Sequence, residues 1–253
     1  MLLKVLLFNS EAWLRITKRD LEKLEGIDRT FLRRIFQVPN SVPNSFLYLE
    51  TGCIPIRYVM KTKRIMFLHH ILTREENALI SQAFWAQVNQ PVKGDWCLVV
   101  REDLDAIGLG HLTYQDIKSM KQEALRSLVK IKAKETAFSM LLKDKEKCSK
   151  LKSLKYLSLE LQPYLSTKSK LTNMLRRVLF RWRCHAINVK QNIGIKDAKC
   201  PLCKDAADTQ YHLLTCPKLS SPQPWTIESV VNALRQREII IEEEKKSADC
   251  VTK

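Results

Sequence analysis

Cys200 and Cys203 are separated by Pro201 and Leu202, and they are followed after eight residues by His212 and after three more by Cys216. Four soft donors within seventeen positions make the sequence pattern of a tetrahedral zinc site. Two intervening residues let one tight turn aim both sulfurs of Cys200 and Cys203 at a single ion, and Pro201 stiffens that turn by fixing its φ angle. Thr209 is placed to cap a short helix through Gln210 and Tyr211, which sets His212 and Cys216 four apart on one helical face. Four protein donors leave no open position for water or substrate, so the expected role is structural, with one zinc per chain. The contrary reading is four unrelated residues, two of them ordinary buried thiols.

The second chemically loaded stretch lies just upstream. Thr172 should cap a helix in which Leu175, Leu179, Trp182 and Ala186 form one face, while Arg176, Arg177, Arg181 and Arg183 occupy its flanks. The planar fork of arginine binds phosphate bidentately, whereas lysine runs are often only a solubilising surface. These four arginines, with Lys190 and Asn192 leading into the Cys200 turn, are the expected nucleic-acid contacts. A third candidate set, Arg57, Lys61 and Arg64, recurs at helical spacing and would form a basic stripe able to grip phosphates or simply face solvent.

Charge supports a polyanionic partner. The chain carries 43 Lys plus Arg against 27 Asp plus Glu, a net charge of +16. Most of that excess lies between Lys118 and Lys190, where 19 basic residues face 5 acidic ones. A generically lysine-rich protein is the plain alternative. The 253 residues suffice for one or two domains with a real core. Among the eight cysteines, Cys53, Cys97, Cys148 and Cys184 are scattered through apolar helical segments, a reduced, intracellular pattern rather than a secreted disulfide framework. Met1 to Phe8 is interrupted by Lys4 and lacks a cleavage site. It is too short to span a bilayer and reads as a buried strand, so neither secretion nor a membrane is expected.

The elements that must position these residues are almost all helical. Thr17 and Asp20 start a helix with Leu21, Leu24, Asp28, Phe31 and Ile35 on one face, ending at Val38-Pro39. A short helix fits between Pro43 and Gly52, with Gly52 as a left-handed exit, and another runs from Ile56 to Leu72. His69 and His70 are read as core or cap residues. Further helices are expected over Glu75–Gln90, from Asp95 to Gly108, and from a Thr113/Asp116 capping box to about Leu142, the last with Ile117, Met120, Ala124, Leu128 and Ile131 inward. A Ser/Pro linker, Ser220 to Pro224, precedes a last helix from about Thr226. The expected fold is mainly α, with a helical region over 1–75, a helical extension over 76–142 and a flexible basic linker over 143–171. The arginine helix and CCHC zinc knuckle follow over 172–217, then a C-terminal linker and helix over 218–253.

Several phrases in this order resemble one family. They are Leu6-Leu7-Phe8-Asn9-Ser10-Glu11-Ala12-Trp13, Phe31-Leu32-Arg33-Arg34-Ile35 with Pro39, Leu47 through Tyr58, Phe67 through Leu72, Asn89 through Trp96, and Cys200 to Cys216 including Asp208 to Leu214. Together they look like the region that follows the palm in reverse transcriptases of non-LTR (LINE-type) retrotransposons, over nearly the whole chain. The resemblance implies a thumb-like region over 1–75, a helical linker, and a C-terminal knuckle that helps hold RNA or DNA. It also implies a nuclear location, and a palm domain as partner in a full-length element. The paired aspartates of a polymerase palm are missing, since no Asp-Asp pair occurs in the sequence, and no carboxylate-rich nuclease pattern follows Cys216. The expectation is therefore a nucleic-acid-binding C-terminal fragment without enzymatic activity of its own. Its rivals are a zinc-stapled structural or protein-interaction module, a polymerase completed by another chain, and a decayed remnant of an element.

Overall fold

The structure, a computed structural model, describes residues 5–14, 16–152, 154–187, 189, 199–219 and 230–240. It is mainly α, and among the described residues the only β pairing is two isolated bridges, Thr51 with Leu161 and Lys199 with Ala207. The chain divides into two compact units, one of Met1–Leu32 with Pro43–Leu161 and one of Arg33–Val42 with Gln162–Lys253. Apart from Arg33–Val42, the regions expected as 1–75 and 76–142 share one unit.

The first unit is built around a central helix. In chain order it contains α1 (Lys18–Phe36, whose last turn falls in the second unit), α2 (Asn44–Thr51), α3 (Ile56–Leu72), α4 (Leu79–Asn89), α5 (Trp96–Ala106), α6 (Tyr114–Ser119) and α7 (Gln122–Glu146). Helix α3 packs against α4, α5, α6 and α7, and its Ile56, Ile65 and Leu68 are fully buried. Helix α7 packs against it and against α2, burying Leu125, Val129, Ala133, Ala137 and Leu141, one residue per turn along a single stripe.

Several starts and stops follow local chemistry. Thr17 Oγ1 accepts from the Asp20 N–H at 3.2 Å, and the Thr113/Asp116 capping box is complete. The helix it opens is short, however. Met120 adopts an extended backbone, ψ 141°, so the expected single helix is divided into α6 and α7. The second helix restarts out of phase with the first, which puts Ala124 and Ile131 on the solvent side.

Residues 5–8 form a turn of helix and turn rather than a strand, with Leu7 buried and Val5 and Phe8 exposed. Among the described residues no neighbouring strand takes up their backbone groups, and the local bonds Phe8 N–H to Val5 O and Ser10 N–H to Leu7 O do so instead.

The basic stretch expected as a flexible linker is largely ordered. Its first residues continue α7, and Lys145 is buried with its ammonium donating to Leu154 O at 2.7 Å. Leu151, Tyr156 and Leu159 are also buried, and the Tyr156 hydroxyl donates to the buried Glu50 carboxylate at 2.5 Å. Gly52 sits where the returning chain crosses α2, at φ 66°, and a β-carbon there would collide with the backbone of Glu160 and Leu161. A left-handed backbone and a steric limit thus both require glycine at this one position.

The second unit contains the loop after α1, a short 3₁₀ turn at Pro163–Leu165, α8 (Asn173–Arg183), α9 (Gln210–Thr215) and a helical stretch over 230–240. Phe36 stacks on Phe180 with ring centroids 3.9 Å apart. Its main core joins Val178, Ile187, Val189, Leu202, Leu213, Leu219, Val231 and Ala233 to the buried Cys200 and Cys216.

Candidate metal centre

The four residues singled out by their spacing converge. One donor atom from each of Cys200, Cys203, His212 and Cys216 lies within 4.8 Å of all the others. Cys200 Sγ is 3.9 Å from Cys216 Sγ, and Cys203 Sγ is 3.2 Å from His212 Nε2. In a tetrahedral zinc centre, bonds of about 2.3 Å to sulfur and about 2.0–2.1 Å to nitrogen give S···S and S···N edges of about 3.8 and 3.5 Å. The observed separations are close to those edges, so the cluster has both the donor set and the spacing to hold one metal ion.

The local sequence explains the geometry. Cys200 N–H donates to Ala206 O at 2.7 Å and Lys204 N–H to Cys200 O at 3.0 Å, closing the turn that carries the first two sulfurs. Lys204 turns the chain at φ 65°, and Lys199 pairs with Ala207 to close the loop behind it. Backbone N–H groups of Ala206 and Asp205 donate to the Cys203 sulfur and lower its pKa to about 6, favouring the thiolate that a metal requires. Burial acts oppositely on Cys216, whose thiol is pushed up to about 11 without a metal. The second half of the site is α9, started by Thr209, whose Oγ1 accepts from His212 N–H at 2.9 Å. His212 lies in its first turn and Cys216 caps its C-terminal end, where Cys216 packs in the core with Leu202 and Leu213.

Two contacts around the cluster were not legible in the metal pattern. Gln210 Nε2 donates to Trp182 O at 3.0 Å, tying α9 to the end of the arginine helix. Asp208 is buried and makes a 2.6 Å ion pair with Arg237, which fixes the helical stretch 230–240 beside the residue that leads into α9. Asp208 stands immediately before the cap Thr209 and offered a signal; Arg237 lies twenty-nine positions on and offered none.

The expected phosphate contacts are less uniform. Arg176 is engaged with its own loop, its guanidinium donating to Ser166 O, Ser169 O and Asn173 Oδ1. Arg181 Nε donates to Ala186 O, and the Arg183 guanidinium lies 5.8 Å from the centroid of the Tyr164 ring. Arg177 is exposed, and its side chain makes no hydrogen bond or ion pair with another described residue. Val178 and Phe180 supply the buried positions of α8, with Leu175 and Trp182 packed at its edge. Lys190 and Asn192 lie outside the described residues.

The stripe Arg57, Lys61 and Arg64 is not an open cationic face. Arg57 Nε and Nη2 reach the two carboxylate oxygens of Glu25 at 2.7 and 2.6 Å, and Nη2 also reaches Glu22. Lys61 Nζ and Arg64 Nε take the two oxygens of Asp103, each at 2.6 Å. Glu25 and Asp103 are both buried. These cations therefore fasten α1 and α5 to α3, a role visible only once carboxylates distant in sequence are brought alongside. His69 fits the core reading, buried with Nε2 2.9 Å from Met120 O, while His70 is exposed beside Arg74.

No family model, curated protein or solved structure matches the chain.

Proposed function

We propose that this chain is a nucleic-acid-binding region of the kind that follows the palm in non-LTR retrotransposon reverse transcriptases, its second unit held by one structural zinc ion. The observation that carries the reading is the Cys200, Cys203, His212 and Cys216 cluster tied through Gln210 to the end of α8. Three sulfurs and one imidazole favour zinc, and a closed shell favours a structural role over a catalytic one. The zinc fixes α9 and, through it, the basic helix whose Arg177 is open to a phosphate. A net charge of +16 supplies salt-dependent affinity for RNA or DNA. Without an Asp-Asp pair among these residues, polymerisation is assigned to a palm domain rather than to this region. The same reading places the protein in the nucleus. Among the described residues, no helix is long and apolar enough to cross a membrane.

The test is fluorescence anisotropy with labelled single-stranded RNA, single-stranded DNA and duplex across a range of salt concentrations. The expected result is binding that falls linearly in log–log form with salt and weakens on Arg177→Ala. Negligible affinity at low salt would defeat the proposal. The internal engagement of Arg176, Arg181 and Arg183 favours a second reading, a zinc-stapled structural or protein-interaction module. That reading requires Arg177→Ala to change nothing.

A further inference from the structure

The basic face of α3 that the sequence offered is consumed by ion pairs, but another face of the same helix borders an open groove. Thr62, Lys63, Met66, Phe67 and His70 of α3, with Glu11 and with Arg126 and Lys130 of α7, line about 790 Å³ within the first unit. That volume lies within the ~300–1,000 Å³ typical of small-ligand pockets.

The floor is apolar and held in place. Met66 and Phe67 are half-buried, and the Phe67 ring lies edge-on to Trp96 at 5.6 Å and nearly parallel to His70 at 6.1 Å. The rim carries uneven charge. Lys63 places its three donors on Leu7 O, Ser10 Oγ and the Glu11 carboxylate, the last at 2.8 Å. That bond holds the Glu11 carboxyl below its ordinary value, so the one acid of the groove is neutralised by the one committed lysine. Arg126 and Lys130 remain. They are four apart on α7 and exposed, and neither side chain bonds to another described residue.

A planar apolar floor beneath two uncompensated cations suits a ligand with one aromatic face and one anionic group. We propose that this groove binds a nucleotide unit, with its base on Met66 and Phe67 and its phosphate on Arg126 and Lys130. The Thr62 hydroxyl at the same wall donates to Tyr58 O at 2.9 Å and is not counted as a phosphate donor. The unit can come from a free nucleotide or from a single strand. The strand-borne source rests on the polyanion-binding reading above; the groove itself does not involve the metal centre. An acidic peptide would satisfy the cations, but its carboxylates leave the aromatic floor without a planar partner.

The experiment is isothermal titration of the full, zinc-loaded chain with adenosine 5′-monophosphate, adenosine, inorganic phosphate, a short single-stranded oligonucleotide and an acidic peptide. The nucleotide should bind at least about tenfold more tightly than adenosine or phosphate alone, because each of those loses one half of the site. Arg126→Ala with Lys130→Ala, both at exposed positions, should weaken the nucleotide by about tenfold or more, since the charge-assisted hydrogen bonds to its phosphate are lost. Met66→Asp should weaken it too. Nucleotide binding indifferent to the double variant, or a peptide bound more tightly than the nucleotide, overturns the proposal. If the oligonucleotide binds wild type and double variant alike, and the free nucleotide binds neither, the groove is refuted while the polyanion reading stands. If the free nucleotide binds and the oligonucleotide does not, the groove stands and the polyanion reading falls.

Discussion

Replacing Asp103 by asparagine separates two accounts of the Arg57, Lys61 and Arg64 stripe with opposite signs. In the structure Asp103 is 2 % exposed and its two oxygens receive Lys61 and Arg64 at 2.6 Å each. Asparagine keeps the volume but removes the charge, leaving the nearly buried Arg64 guanidinium and the half-buried Lys61 ammonium without their counter-ion. Breaking one side of a buried ion pair costs about 3–5 kcal/mol. Lys61 can turn toward water, so the lower end, ~3 kcal/mol, is the better figure here. With a urea slope of about 2 kcal/mol per molar, that loss lowers the unfolding midpoint by roughly 1.5 M. Urea titration followed by circular dichroism, with Asp103→Asn beside wild type, reads this directly. If the three cations instead formed a phosphate-gripping surface, removing a neighbouring negative charge would leave stability nearly unchanged and raise nucleic-acid affinity. A midpoint shift near zero together with tighter binding would refute the structural assignment of the stripe.

Three further outcomes follow. Gly52→Ala should destabilise the first unit by several kcal/mol, because the left-handed backbone costs about 1–2 kcal/mol for a residue with a β-carbon and the Glu160–Leu161 backbone must also move; a thermal midpoint equal to wild type would contradict that crossing. Asp28 is buried with one carboxylate oxygen unpartnered, and burial raises its carboxyl above the ordinary value. A raised acid favours folding most when protonated, and that contribution is lost as pH rises through the folded-state value. Asp28→Asn should therefore stabilise the protein at pH 8 and lose its advantage as pH falls into the carboxylate range, measured as unfolding midpoints against pH. Elemental analysis of the purified chain should find one zinc per molecule and Cys203→Ser should lose it; a folded wild-type sample without metal would remove the centre.

What the sequence made legible was local. The Cys200, Cys203, His212 and Cys216 spacing, the caps at Thr113, Thr172 and Thr209, the bounds of α3 and the left-handed exit at Gly52 all depend on residues within a few positions of one another. What it hid was either a phase change or a distant partner. The break at Met120 restarts the helical period, so counting inward residues on from Ile117 reaches Ala124 and Ile131 instead of Leu125, Val129 and Ala133. The lysine-dense stretch after α7 suggested solvent, yet Leu151, Tyr156 and Leu159 among the lysines carry the chain back onto α2. Cationic residues misled for the same reason. Arg57 pairs with Glu25 at a separation of 32 positions and Arg64 with Asp103 at 39, and no helical spacing reports such partners. The groove of Met66, Phe67, Arg126 and Lys130 is likewise assembled from two helices far apart in the chain.

Under the proposed function, the metal-held second unit contributes affinity for nucleic acid. The most direct measurement is the affinity of the purified chain for a labelled single-stranded oligonucleotide at low salt, before chelation, after chelation, and after one equivalent of zinc is returned. Binding should weaken on chelation and recover with the single equivalent, the groove of the first unit retaining what remains. Binding unchanged by chelation, or absent throughout, would contradict that contribution.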